Sequence, residues 1–309
     1  MSQDKYRLIT RSDFDGLVCA VLLKELDLID DIKFVHPKDM QDGKVEVTGR
    51  DITTNLPYVP GVYMSFDHHA SEAIRNETQD NHVIHPSAPS AARVVFEHYG
   101  GVAKFGDRFN DMMIAVDKSD SAQFSREEIL NPEGWVLLNY LMDSRTGLGR
   151  FRDFRVSNYQ LMMDLIDYCR THGIEDILKL PDVVERIELY QEHAAKAKEQ
   201  LQFCTTVHHN VAVLDLRQEE TIYAVSRFMI YALYPATNIS IHVMWGVQKQ
   251  NTVLATGKSI LNRSSKVNVG ALMLLYGGGG HENAGTCQVP NERSATVLNE
   301  LIAKINSVG

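Results

Sequence analysis

Tyr6-Arg7-Leu8-Ile9-Thr10-Arg11-Ser12-Asp13-Phe14-Asp15-Gly16 is the stretch on which the fold of this chain turns. Residues 6–10 read as a short apolar strand. From Gly16 to about Leu28 the pattern becomes helical, with Leu17, Ala20, Val21 and Lys24 spaced one and two turns apart. Two carboxylates therefore stand at a strand-to-helix turn. The same grammar repeats outward. Residues 32–36 predict a second strand ended by Pro37, Val45-Glu46-Val47 leads to Asp51, and residues 61–66 lead to Asp67-His68-His69. Helices are expected over 88–99, after Pro86, and over about 103–116. Short β-rich runs alternating with helices predict βαβ units and a mostly parallel sheet.

Beyond residue 125 the pattern loosens, with a helical stretch at 158–170 and a turn at Gly147-Leu148-Gly149. Residues 182–203, rich in Glu, Ala, Lys and Gln, read as one charged amphipathic helix. Then the pattern restarts: a strand at 211–214, a helix at 221–234, strands at 239–247 and 253–259, and a helix at 269–276. That last helix runs into Gly277-Gly278-Gly279-Gly280-His281. The restart predicts an α/β chain of two domains, 1–182 and 206–309, joined by a helical linker at 183–205.

The 309 residues suffice for two domains. No apolar run nears the roughly 20 residues that span a bilayer, and Met1 to Arg7 lacks the apolar core of a signal sequence. A cytoplasmic protein with no membrane partner is expected. Cys19, Cys169, Cys204 and Cys287 are scattered without paired spacing, so free thiols are expected. The net charge is −9, from 40 acidic against 31 basic residues. Proteins that grip long nucleic acid usually present a basic face, so no long nucleic acid is expected and a compact anionic substrate fits better.

Three predicted strands end in acidic residues: Asp13 and Asp15, Asp51, and Asp67 with His68 and His69. In a parallel sheet the carboxyl ends of the strands line one crevice, where ligands bind. Carboxylates gathered there repel unless a cation lies between them, and oxygen ligands with imidazole suit Mn²⁺, Mg²⁺ or Fe²⁺. Taken singly, Asp13 or Asp15 reads as a helix N-cap. His208-His209 reads as a surface pair. Four glycines in succession can turn backbone N–H groups toward an anion, His281 adds a donor, and Arg263 offers a planar fork to phosphate. Lys258 and Asn262 are weaker candidates beside Arg263.

Asp13-Phe14-Asp15-Gly16, Asp51, Asp67-His68-His69 and Asp117-Lys118-Ser119-Asp120 resemble the DHH phosphoesterase superfamily, and Arg263-Ser264 with Gly277 to Gly285 resembles its DHHA1 domain. The resemblance spans nearly the whole chain and points to the branch of RecJ-like exonucleases, nano-RNases, pAp phosphatases and cyclic-dinucleotide phosphodiesterases. It implies a parallel-sheet DHH domain and a smaller α/β DHHA1 domain. It implies that Asp13 binds a first metal, that Asp15 binds a second, and that Asp51 bridges them. His68 completes the second with Asp120, or with Asp117 as the competing candidate. His69 faces substrate and Asp67 braces a histidine. Many members carry a ligand just before the first aspartate, where this chain has Ile9-Thr10-Arg11-Ser12. The first metal would then be weakly held, bound only with substrate, or replaced electrostatically by Arg11, so one or two ions, Mn²⁺ or Mg²⁺, are expected. The resemblance also implies that Gly278, Gly279, Gly280, His281 and Arg263 hold substrate phosphate.

The expectation is a phosphoric ester hydrolase acting on a small nucleotide or very short oligonucleotide through metal-activated water. Polyphosphate or pyrophosphate hydrolysis, and a phosphate-ligand sensor with a weakened metal site, are the alternatives. A homodimer is allowed for.

Overall fold

The computed structural model describes residues 5–77 and 79–309. Met1 to Asp4, the head of the segment read above for a signal sequence, and Thr78 lie outside the described residues. Two compact units are present. One takes in the chain up to Gln123, Glu133–Ser144 and Gly149–Ile187; the other takes in Phe124–Pro132, Arg145–Leu148 and Glu188–Gly309. The second unit thus includes segments that the sequence pattern placed before residue 206.

In the first unit, strands β1 (Tyr6–Arg11), β2 (Ile29–Val35), β3 (Asp51–Thr54), β4 (Met64–Asp67) and β5 (His82–Ile84) form one parallel sheet in the order β2-β1-β3-β4-β5. The order reverses between β1 and β3, so their carboxyl ends open the crevice that such sheets use for ligands. Helix α1 (Phe14–Glu25) follows β1; α2 (Pro37–Gln41), α3 (Ala70–Arg75), α4 (Ala91–His98), α5 (Gly101–Phe105) and α6 (Asn110–Asp120) follow in turn. Every residue of α1 from Phe14 to Leu23 is buried, as expected of a helix enclosed by the sheet and by other helices. A Cβ at Gly16 would lie 2.0 Å from the Arg11 carbonyl oxygen, so glycine is what lets the first turn of α1 close against the end of β1.

Helices α7 (Arg126–Leu130), α8 (Gly134–Met142), α9 (Asn158–Thr171), α10 (Ile174–Ile177) and α11 (Pro181–Cys204) come next. The second unit carries a mixed sheet in the order β10-β11-β9-β8-β7-β6. Its strands are β6 (Thr205–His208), β7 (Val211–Asp215), β8 (Ile239–Trp245), β9 (Thr252–Lys258), β10 (Gly279–His281) and β11 (Ala284–Val289). With them go α12 (Met229–Leu233), α13 (Val269–Leu274) and α14 (Ser294–Val308). Ile239, Ile241 and Val243 of β8 pack with Val269 and Met273 of α13 and with Val297, Leu301 and Ile305 of α14 in one apolar core. No helix among the described residues is long and apolar enough to cross a membrane. The four cysteines are free, and Cys19, Cys169 and Cys287 are buried.

The α/β class and the parallel first sheet stand as expected. Four local expectations do not. The single helix expected over about 103–116 is two, α5 and α6, broken at Gly106 with its φ of 69°. Residues 45–47 form no strand; Val45 instead seals a small apolar cluster with Ile9, Met40 and Leu56. Residues 221–228 are not helical, the helix being confined to Met229–Leu233. The glycine run is no open loop, because Gly279–His281 is itself an edge strand paired antiparallel to β11.

Candidate metal centre

The carboxyl ends of β1, β3 and β4 and the last turn of α6 bring the site together. At the end of β1, Asp13 caps α1: its Oδ1 accepts from the Gly16 amide at 3.0 Å. The N-cap reading of Asp13 therefore holds, alongside its place in the site. The same Oδ1 accepts from Asn55 Nδ2 at 3.3 Å, and Oδ2 lies 2.9 Å from Arg11 Nε. Asp15, in the first turn of α1, is 2% exposed and accepts from the Ala91 and Ala92 amides at 2.9 and 2.7 Å. Those amides open α4, whose N-terminus favours an anion.

At the end of β4, Asp67 is fully buried; its Oδ1 accepts from the His68 amide and from His69 Nδ1, both at 2.8 Å. The His68 Nδ1 lies 3.1 Å from the Ala88 carbonyl. Because that oxygen can only accept, Nδ1 carries a proton, and Nε2 is the nitrogen turned to the acids, free to bind an ion once its own proton leaves. Nε2 is buried and lies 2.9 Å from Asp120 Oδ2, so Asp120 is its one close polar neighbour among the described residues. The Asp15, His68 and Asp120 ligand atoms all fall within 4.8 Å of one another, as do those of Asp67, His68 and His69.

The electrostatics match the needs of a cation. Burial, with the Asp120 charge next, pushes the Asp15 carboxyl up to about 8 against the opposing pull of His68. For His68 burial lowers basicity, but the Asp120 bond and the Asp15 charge outweigh it and push the imidazole up to about 9. Two carboxylates and an imidazole thus compete for protons in one pocket. A divalent ion would relieve that competition by replacing the protons. The hard oxygens of Asp15 and Asp120 with one braced imidazole nitrogen fit Mn²⁺ or Mg²⁺. His69 is raised chiefly by its bond to Asp67, which leaves Nε2 as the atom it can offer to a ligand.

Asp51 is a correction. It opens β3, paired with Arg7 at the amino end of the sheet. At about 3.3 Å per residue, it lies roughly 13 Å along the strand from Asn55. Its Oδ1 accepts from Arg7 Nε at 2.7 Å; Oδ2 accepts from Arg7 Nη2 at 2.9 Å and the Thr48 amide at 2.6 Å. It lines a cavity of about 420 Å³ with Lys5, Arg7, Lys33 and Arg50. The misreading came from taking Val45-Glu46-Val47 as the strand. The residue at the carboxyl end of β3 is Asn55, which that reading missed. Its signal was available: the β-branched run Ile52-Thr53-Thr54 ends there, and Asn tolerates its φ of 55°.

Asp117 and Asp120 separate clearly. Asp117 is turned to Arg93 Nη2 at 2.6 Å and to the Ser90 hydroxyl at 2.7 Å, whereas Asp120 meets His68.

In the second unit, the amides of Gly277 and Gly278 donate to the Leu274 and Met273 carbonyls. The Gly278 N–H is thus engaged within the fold, which corrects the picture of four amides turned to an anion. Packing demands the glycines instead. A Cβ at Gly278 would meet the Thr286 oxygen at 2.2 Å, and one at Gly280 would meet the Ala284 oxygen at 2.3 Å. His281 is exposed, and Arg263 Nε donates to the Ile260 carbonyl at 3.0 Å.

No protein-family model matches the chain, and no curated protein does. Solved structures do. The pGpG-specific phosphodiesterase PggH of Vibrio cholerae is 62% identical, with a TM-score of 0.90 over 99% of this chain and 100% of that one. RecJ from Thermus thermophilus, solved with Mn²⁺, is 12% identical, with a TM-score of 0.56 over 98% of this chain and 52% of that one. CDC45 from Entamoeba histolytica is 9% identical, with a TM-score of 0.58 over 98% and 95%. The two distant likenesses speak to the fold alone. Identity of this degree along the whole of a solved phosphodiesterase, on a sheet whose strand ends gather these acids and imidazoles, shows that the chain belongs to the DHH/DHHA1 phosphoesterase family.

Proposed function

We propose that the chain hydrolyses the phosphodiester bond of a short linear dinucleotide, pGpG foremost, to mononucleotides. The observation that carries this reading is the 62% identity to a pGpG-specific phosphodiesterase over that protein's whole length. Asp15, His68 and Asp120 would hold a divalent ion, Mn²⁺ or Mg²⁺. When bound, the ion supplies the charge that polarises a phosphoryl oxygen and makes water more acidic.

The chain's own groups do the rest. Water adds to phosphorus, the bond to the leaving ribose oxygen breaks, and that oxygen takes a proton. His69 would give it: its Nδ1 is held by Asp67, a contact that raises the basicity of the ring and so supports its carrying the proton. Ala88 fixes the tautomer of His68, and the α4 amides fix Asp15. In the second unit, Arg263 and His281 are proposed to take the terminal phosphate through their side chains. Gly279 and Gly280 would shape the edge strand beside them.

The test is turnover by purified protein with Mn²⁺ or Mg²⁺, comparing pGpG with pAp, short RNAs, cyclic dinucleotides and polyphosphate. Preferred cleavage of pGpG to GMP supports the reading. Faster hydrolysis of polyphosphate, or no hydrolysis of any dinucleotide, refutes it.

A further inference from the structure

The two halves of the acidic cluster are built differently. On one side, the ligand atoms of Asp15, His68 and Asp120 converge within 4.8 Å. On the other, both oxygens of Asp13 already meet nitrogen donors: Arg11 Nε on Oδ2, and the Gly16 amide with Asn55 Nδ2 on Oδ1. Asn55 is 1% exposed and held in place by donating its amide to the Phe66 carbonyl. Its side-chain oxygen is buried without a hydrogen-bond partner. Being an amide, it adds no charge.

The charge count on the Asp13 side is therefore one carboxylate against one guanidinium. Arginine stays protonated at any working pH. A divalent ion set beside it would meet a fixed positive charge, and Asn55 would give it no second carboxylate. The guanidinium does what an ion would do there, since it neutralises Asp13. Its side chain is about a third exposed and meets Asp13 through Nε. A guanidinium bound by that edge can still present its Nη groups to a phosphoryl oxygen.

We infer that Arg11 is the resident cation of the Asp13 side, clamping a non-bridging phosphoryl oxygen, and that the centre takes a single divalent ion at Asp15, His68 and Asp120. The clamping role rests on the proposed phosphodiester hydrolysis; the ion count does not.

The experiment is metal stoichiometry by mass spectrometry and Mn²⁺ titration calorimetry, with kcat and KM on pGpG measured in parallel. The native chain should bind one Mn²⁺. Arg11→Ala should keep that ion, which also reports an intact fold, and lose about 10²–10³-fold in kcat. The double variant Arg11→His with Asn55→Asp should gain a second ion. Two ions on the native chain, a single ion on the double variant, or full kcat in Arg11→Ala would each overturn the inference. A native chain that binds one ion and cleaves no nucleotide refutes the substrate reading and leaves the ion count standing.

Discussion

Replacing Asp51 by Asn separates structure from chemistry in this chain. The carboxylate is 1% exposed and accepts two bonds from one guanidinium and one each from the Thr48 amide and hydroxyl. Hydrogen bonds to charged groups contribute about 1.5–3 kcal/mol each, and breaking a buried ion pair costs about 3–5 kcal/mol. Arg7 is 30% exposed, so water recovers part of its solvation, and Asn can still accept from Thr48. The net loss should be about 2–3 kcal/mol. The residue lies at the far end of β3 from the cluster, so kcat should stay within about twofold. Trp135 lies in the first unit and Trp245 in the second. Urea unfolding in a Trp245→Phe background therefore reads the first unit through Trp135. The pH dependence carries a further signature. Burial raises the Asp51 carboxyl, but the Arg7 bond and the Thr48 amide outweigh it and hold the group below its usual value. A depressed carboxyl stabilises above the unfolded value of about 4 and loses that stability as pH falls below it. Asp51→Asn should therefore flatten the acid limb below about pH 4. A fall of 100-fold or more in kcat with unfolding changed by less than about 0.5 kcal/mol would refute the reasoning and return Asp51 to the reacting centre.

Asp120→Asn should abolish high-affinity Mn²⁺ binding and drop kcat by about 10³-fold or more, while Asp117→Asn, losing only Arg93 and Ser90, should stay within about tenfold; calorimetry and steady-state rates decide it. Gly278→Ala should destabilise the second unit by about 3 kcal/mol or more, because the new Cβ meets backbone at 2.2 Å. Gly279→Ala, with open space around it, should change stability by no more than about 1 kcal/mol in the same urea series. Desolvation pushes the His242 imidazole down to about 4. The unfolded chain takes up that proton first, near pH 6.5. Stability of the second unit is thus full above about 6.5 and falls toward pH 4, by up to about 3 kcal/mol. His242→Gln should remove that fall, followed through Trp245 in a Trp135→Phe background.

Much of the metal centre was legible because its residues sit where local patterns end. A strand followed by Asp13-Phe14-Asp15-Gly16, and another followed by His68-His69, are visible as changes of period, and a parallel sheet makes such ends converge. The second unit's strands, read at 211–214 and 253–259 and found at Val211–Asp215 and Thr252–Lys258, were legible for the same reason. Asp51 was misplaced because Val45-Glu46-Val47 has strand composition but serves the apolar cluster around Ile9 and Met40. Strand propensity cannot tell a packed loop from a ladder; pairing partners do that. Moving the strand by a few residues moved the candidate ligand to the wrong end of the sheet and hid Asn55.

The sequence by itself determined the α/β class, the parallel first sheet and the acids and imidazoles at the ends of β1 and β4. Those properties follow from periods of two and 3.6 and from residue chemistry within a few positions. Tertiary structure gave the reason why Asp120, which the family resemblance already favoured over Asp117, reaches His68: both lie in the last turns of α6, and only the packing of α4 draws Asp117 to Arg93. It alone turned the glycine run into an edge strand, because that depends on how closely α13 and β11 approach. And it alone set Asn55 against Asp13, a meeting of the neighbouring strands β1 and β3 that no stretch of one strand records.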